Sequence, residues 1–309
     1  MRTLHRRKDG GAKSVIDNFR EKVEQTITFL PPMESIAKDL IEALNNEEVD
    51  LRALGKIIST DPSMAANVLK IANSAFFGLV NKVADIEHAV RMLGVNEIAS
   101  LCISCSALRS LSPPPHVETI DLGHFWRHSI ATGVIAKIIC RKLQAGRDDS
   151  LYLAGLMHDV GVLVLDRFRH DVYGQILDLT YRENIPSLEA ERRIMGASHD
   201  TVGSWLMEKW NLPDVFVEVA RCHHSVCESR EPHMEVVAII SLADLFARLT
   251  RQGLDGDMNG VIVSETDAFR VLEKKNPHLA DLDVVKLVWD LDDAKSEIQE
   301  MERVLKVTP

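Results

Sequence analysis

The stretch Leu153-Ala-Gly-Leu-Met-His-Asp-Val-Gly-Val-Leu-Val-Leu165 constrains this chain more than any other. Two ionisable neighbours, His158 and Asp159, sit inside an otherwise apolar run. Burying such groups is costly unless they are paired or bound to a metal. A buried ion pair or a helix-end cap would account for the two residues taken alone. Imidazole and carboxylate are also common ligands of zinc, iron and manganese. The pair has company. His128 lies upstream, and His199, the doublet His223-His224 and Asp244 lie downstream, each in or at the end of a predicted helix.

The elements around that series read as helices throughout. Val15, Ile16, Phe19, Val23 and Ile27 recur at helical spacing, and Leu30-Pro31-Pro32 stops that helix. Ile36, Leu40, Ile41 and Leu44 form the next apolar stripe. Asp50 is a cap for the helix carrying Leu51, Leu54, Ile57 and Ile58. Asp61-Pro62 reads as an N-cap followed by proline at the first helical position. Asp85 caps a helix that Gly94 ends, and Asn96 opens an apolar helix to about Leu111. Ser112-Pro-Pro-Pro115 breaks the chain. Asp121 then starts a helix through His124, Trp126 and His128 to Leu143, and further helices lead to His158 and away from it. Pro186, Ser198 and Pro213 start three more. Val236–Leu249 carries Asp244, and Ser264 with Asp267 resembles a capping box. A last amphipathic helix runs from Leu282 to Leu305. There is no strand alternation and no repeat of 20–50 residues, so the predicted class is all-α.

Composition narrows the function. The 309 residues carry a formal net charge of −10, which disfavours a broad nucleic-acid surface because phosphate contacts need a basic face. The one basic cluster, Arg2 to Lys8, is followed by Gly10-Gly11 and reads as a loose tail. No apolar run reaches the ~18 residues of a membrane span, and the N-terminus lacks an apolar signal core. The expected location is the cytoplasm, with reduced thiols among five cysteines. Cys102-Ile-Ser-Cys105 falls in an apolar helical pattern, which favours buried small side chains over a redox pair. Cys222-His-His-Ser-Val-Cys227 crowds its ligands too closely for one zinc tetrahedron.

Two halves of the sequence resemble the HDOD family of bacterial signalling domains, a branch of the HD superfamily. The N-terminal motifs are Leu30-Pro-Pro-Met, Ile58-Ser-Thr-Asp-Pro-Ser63, Leu69-Lys-Ile-Ala-Asn-Ser74, Phe77-Gly78 and Ala89-Val-Arg-Met-Leu-Gly94. The C-terminal motifs are Phe125-Trp-Arg-His-Ser129, Leu153–Gly161, Trp210-Asn-Leu-Pro213 and His223-His224. The resemblance implies an HD-superfamily helical bundle with an N-terminal helical HDOD subdomain. It also implies a division of the chain. Residues 1–28 would be a tail and helix. Residues 29–226 would be the HDOD domain, with an N-terminal subdomain at 29–111 and an HD-like subdomain at 116–226. Residues 227–309 would be a helical extension completing the bundle. The implied role is signal transduction by a regulatory or scaffolding module. Its partners would be signalling proteins or a nucleotide second messenger, with no nucleic acid and no membrane, and the oligomeric state is open.

The second half also resembles HD phosphohydrolases, including HD-GYP phosphodiesterases. The resemblance places metal ligands on His128, His158, Asp159, His199, His223, His224 and Asp244. His124 stands where HD-GYP proteins carry a further ligand, a glutamate. One ion would take His128, His158, Asp159 and Asp244. A second would take His199, His223 and His224, with Asp159 bridging. One or two ions of iron, manganese, zinc or nickel fit such mixed donors. A centre of this kind lowers the pKa of bound water, which makes His158 and Asp159 the candidate position for an activated water. The chain departs from the catalytic pattern at Val162. HD-GYP proteins have lysine there, and the GYP signature is not recognisable. The expectation is therefore weak or absent phosphohydrolase activity. The alternatives are a metal-dependent phosphohydrolase acting on a nucleotide or cyclic dinucleotide, and a sensor that binds a nucleotide without hydrolysing it.

Overall fold

The computed structural model describes residues 35–44, 51–111, 120–145, 150–168, 170–252, 261–277, 279, 291 and 294–305. Among them there are α-helices and short 3₁₀ turns and no strand. The expected helix at Val15–Ile27, the Pro31-Pro32 and Pro113–Pro115 breaks, the Asp50 cap and the segment 280–290 lie outside the described residues. No helix among the described residues is long and apolar enough to cross a membrane.

Five helices form the N-terminal part: α1 (Ser35–Leu44), α2 (Leu51–Ser59), α3 (Pro62–Ala72), α4 (Ile86–Leu93) and α5 (Val95–Leu111). Asp61 caps α3 as its sequence suggests, accepting from the backbone N–H groups of Ser63 at 2.8 Å and Met64 at 3.0 Å. Asp85 caps α4 by accepting from His88 N at 2.7 Å. Gly94 ends α4 with φ at 95°. Asn73, in one of the N-terminal motifs, pins the loop that follows α3. Its amide donates to the Val83 carbonyl and accepts from the Val83 N–H, both at 2.8 Å.

The second part is built on α6 (Leu122–Leu143), a long helix buried along most of its length. Against it pack α7 (Leu151–Met157) and α13 (Met234–Leu249). Between these come α8 (Val160–Phe168), α9 (His170–Glu183), α10 (Ser187–Met195), α11 (His199–Lys209) and α12 (Asp214–Cys222). The chain closes with α14 (Asp267–Lys275) and α15 (Lys295–Leu305). The capping residue of α14 is Thr266, which accepts from Phe269 N at 3.2 Å. The Ser264–Asp267 box is thus misplaced, because Ser264 belongs to the 3₁₀ turn Val263–Glu265 ahead of the helix.

One hydrophobic core runs through both parts. Phe76, in the turn after α3, lies 5.8 Å ring to ring from Tyr152 of α7. Lys137 of α6 meets Glu97 of α5 at 2.5 Å and sits over the Phe77 ring at 5.4 Å. Cys102 and Cys105 are buried among apolar neighbours in α5, as their setting in the sequence suggests.

Candidate metal centre

Two close helix crossings assemble the site. Gly155 of α7 meets Gly133 of α6 so tightly that a Cβ on Gly155 would fall 2.5 Å from Gly133 Cα. This crossing sets the end of α7, where His158 follows, beside His128 on α6. Gly161 of α8 lies under the start of α11, where a Cβ would come within 1.9 Å of the His199 carbonyl oxygen. That crossing brings His199 to Asp159. The run around His158-Asp159 is therefore two helices, α7 and α8, with the His-Asp pair at the break between them. A single continuous helix would send adjacent side chains in diverging directions. The break lets both face one point.

Asp159 is the centre of the cluster. Its Oδ2 lies 3.2 Å from His158 Nε2 and 3.8 Å from His128 Nε2. Its Oδ1 lies 3.2 Å from His223 Nε2 and 3.4 Å from His199 Nε2. Asp244 of α13 faces the first pair, with Oδ1 at 2.9 Å from His128 Nε2 and 3.8 Å from His158 Nε2. His224 closes the second group through Nε2, 3.0 Å from His199 Nε2. Two sets of ligand atoms come together, one from Asp159, His199, His223 and His224, the other from His128, His158 and Asp159. Every member is buried except His224, which is half-buried.

The structure thus gathers seven of the eight residues singled out in the sequence. His124 is apart from them. It is exposed on the first turn of α6 and faces its capping residue Asp121 at 3.1 Å. Cys222 and Cys227 also diverge, the first buried and the second exposed.

The far sides of the His158, His199 and His223 rings are held by the protein, whereas His128 Nδ1 is buried without a partner. His158 Nδ1 donates to the Gly155 carbonyl at 2.7 Å, and His223 Nδ1 is 3.0 Å from the carbonyls of Val219 and Ala220. His199 Nδ1 meets the buried carboxylate of Glu191 at 2.8 Å, and the same oxygen accepts from the His199 backbone N–H at 2.8 Å. These contacts leave each Nε2 turned toward Asp159. His158 Nε2, His223 Nε2 and Asp159 Oδ1 are buried without a hydrogen-bond partner. Buried polar atoms are almost always satisfied. Converging orphan nitrogens and a carboxylate oxygen are a donor set of the kind divalent transition metals take, with three of the rings braced from behind.

Without an ion, the carboxylates hold protons on the neighbouring histidines, and a bound metal would have to displace them. Burial opposes charge on His158, but the carboxylates of Asp159 and Asp244 raise its pKa to about 10. Burial likewise opposes charge on His199, and Glu191 and Asp159 raise it to about 9. Burial pushes the Asp159 and Asp244 carboxyls up, yet His158 beside the first and Arg248 beside the second hold both well below the ordinary carboxylate range. His224 is pushed well below its ordinary value by burial and by His223 and His199.

Two site residues escape a reading of the sequence. Glu191 sits in a charged stretch of α10 and gives no sign of being buried. Arg248 lies one turn after Asp244 and grips it through Nε at 2.9 Å and Nη2 at 2.8 Å. An i,i+4 acid–base pair is the one available signal for it, and such pairs are common on exposed helix faces.

A family model described as the HDOD domain matches residues 30–226. The chain belongs to the HDOD family. Among solved structures, it resembles an HDOD domain protein of unknown function from Geobacter sulfurreducens. The TM-score is 0.77 at 23% identity, over 94% of this chain and 99% of that one. It also resembles a candidate phosphohydrolase from Shewanella amazonensis SB2B. There the TM-score is 0.68 at 21% identity, over 92% and 98% of the two chains. At such identities the likeness is one of fold. An uncharacterised protein of Treponema pallidum is 26% identical over 237 residues, which are 76% of this chain and 44% of that protein. The chain thus matches less than half the length of this curated relative.

Proposed function

We propose that this HDOD protein is a signalling module that holds one or two divalent transition-metal ions and acts by regulation or scaffolding, with weak or absent hydrolysis. The observation that carries the reading is Asp159, whose two oxygens face two separate groups of histidines at 3.2–3.8 Å. His128, His158, Asp159 and Asp244 would hold one ion. His199, His223 and His224 would hold the other, with Asp159 shared. Such ions act as Lewis acids and lower the pKa of bound water. The protein's own residues brace the rings of His158, His199 and His223 and bury the cluster away from bulk water.

Weak hydrolysis follows from what surrounds the cluster. Phosphoryl transfer needs positive groups at the non-bridging oxygens. Val162, where HD-GYP proteins carry lysine, is apolar and buried. Arg248 is the cation at the site, and it is tied to Asp244 through both carboxylate oxygens. Losing one electrostatic contact of this kind typically slows the reaction by about 10²–10³-fold.

The competing reading is a metal-dependent phosphohydrolase, favoured by the completeness of the donor set and by the name of the Shewanella relative. The deciding experiment compares wild type, Val162→Lys and His158→Ala on a generic phosphodiester and on cyclic dinucleotides. The regulatory reading expects wild-type turnover at or below detection. Vigorous wild-type turnover that vanishes in His158→Ala would make the protein an enzyme. A nucleotide bound in the presence of metal without turnover would make it a sensor.

A further inference from the structure

We propose that the two halves of the cluster fill in a fixed order: the half made by His199, His223 and His224 binds its ion first and more tightly, and the half made by His128, His158 and Asp244 fills second. The inference rests on the metal-binding reading above and adds an order to it. Three observations carry it.

The first is the readiness of the donors. On the first-filled side, Asp159, His199, His223 and His224 each offer a ligand atom, and all four atoms lie within 4.8 Å of one another. On the other side the set that meets this spacing is His128, His158 and Asp159. A donor set already gathered has less to reorganise when the ion arrives.

The second is Glu191. It is fully buried and bonds His199 twice, at the ring Nδ1 and at the backbone N–H. A carboxylate behind a histidine fixes the ring and raises its strength as a ligand. It also adds a negative charge near a cation. His158 and His223 have only backbone carbonyls in that position.

The third is Arg248, which acts in the opposite sense. Its guanidinium occupies both oxygens of Asp244. An ion in that half must share those oxygens and sit near a fixed positive charge, and such repulsion is weakly screened away from bulk water. A negative group thus braces one half, while in the other a carboxylate oxygen pair is already engaged by a cation.

The exchangeable ion would then be the one at His128, His158 and Asp244. In that half, His158 follows α7, whose Tyr152 ring lies tilted at 5.8 Å from Phe76 of the N-terminal part.

The test is a titration of the full-length chain, stripped with chelator, with Zn²⁺ by calorimetry and with Co²⁺ by its visible spectrum. Two steps of different affinity are expected. Glu191→Gln should weaken the tighter step by about 10–100-fold and leave the weaker one in place. Asp244→Asn should do the reverse. If Glu191→Gln fails to fold by circular dichroism, His224→Ala carries the same expectation from a half-exposed position. A tight step lost in Asp244→Asn and kept in Glu191→Gln or His224→Ala would overturn the order, as would two indistinguishable steps. No binding by wild type in either experiment would instead overturn the metal-binding reading itself, and the order with it.

Discussion

Gly161 sits where no other residue fits. A methyl group there would meet the His199 carbonyl at 1.9 Å, and that contact is backbone rather than a movable side-chain tip. Overpacking a core costs about 1–3 kcal/mol. Gly161→Ala should reach or exceed the top of that range by chemical denaturation, and it should lower metal content because it separates Asp159 from His199. A variant as stable as wild type would show that α8 and α11 do not cross this closely. At the same scale, seven site residues were legible because histidine and aspartate stand out against apolar surroundings. His124, which the resemblance offers as a further ligand, stands apart because its capping residue Asp121 draws this first-turn side chain outward. Glu191 was invisible because a glutamate in a charged helix looks solvated until the partner eight residues away is placed on it.

Helix boundaries were legible wherever a capping side chain or a proline marks them, since those signals act locally. Asp61 is the clearest case, and its contribution depends on pH. The Met64 N–H hydrogen bond, opposed by partial burial, lowers its carboxyl from the ordinary value of 3.8. A lowered folded-state pKa gives stability that is present above the unfolded value and lost as pH falls through the folded one. Asp61→Ala should cost about 1 kcal/mol near neutral pH. The difference from wild type should shrink as pH drops below 3.8. A cost that stays constant into acid would mean that the side chain acts by packing and not as a charged cap. The α14 cap was misread for a matching reason. Ser264 and Thr266 both suit an N-cap, and only the preceding 3₁₀ turn selects Thr266.

The all-α class followed from helical periodicity along the whole chain, but the mutual packing of the two parts depends on contacts between distant residues. Phe76 against Tyr152, Lys137 against Glu97 and the shared core tie the N-terminal helices to the second part. Truncation at Ser112 should therefore leave a poorly soluble C-terminal fragment. A well-folded fragment with undiminished thermal stability would contradict the dependence. The same packing gathers buried histidines and aspartates from distant segments into the proposed metal centre. Its most direct test is elemental analysis of the full chain purified without chelator, alongside Asp159→Ala. The expected result is at least one transition-metal ion per chain in wild type, with the largest loss in Asp159→Ala, the residue facing both groups of histidines. Well under one ion per chain in wild type, even after supplementation with iron, manganese, zinc and nickel, would contradict it.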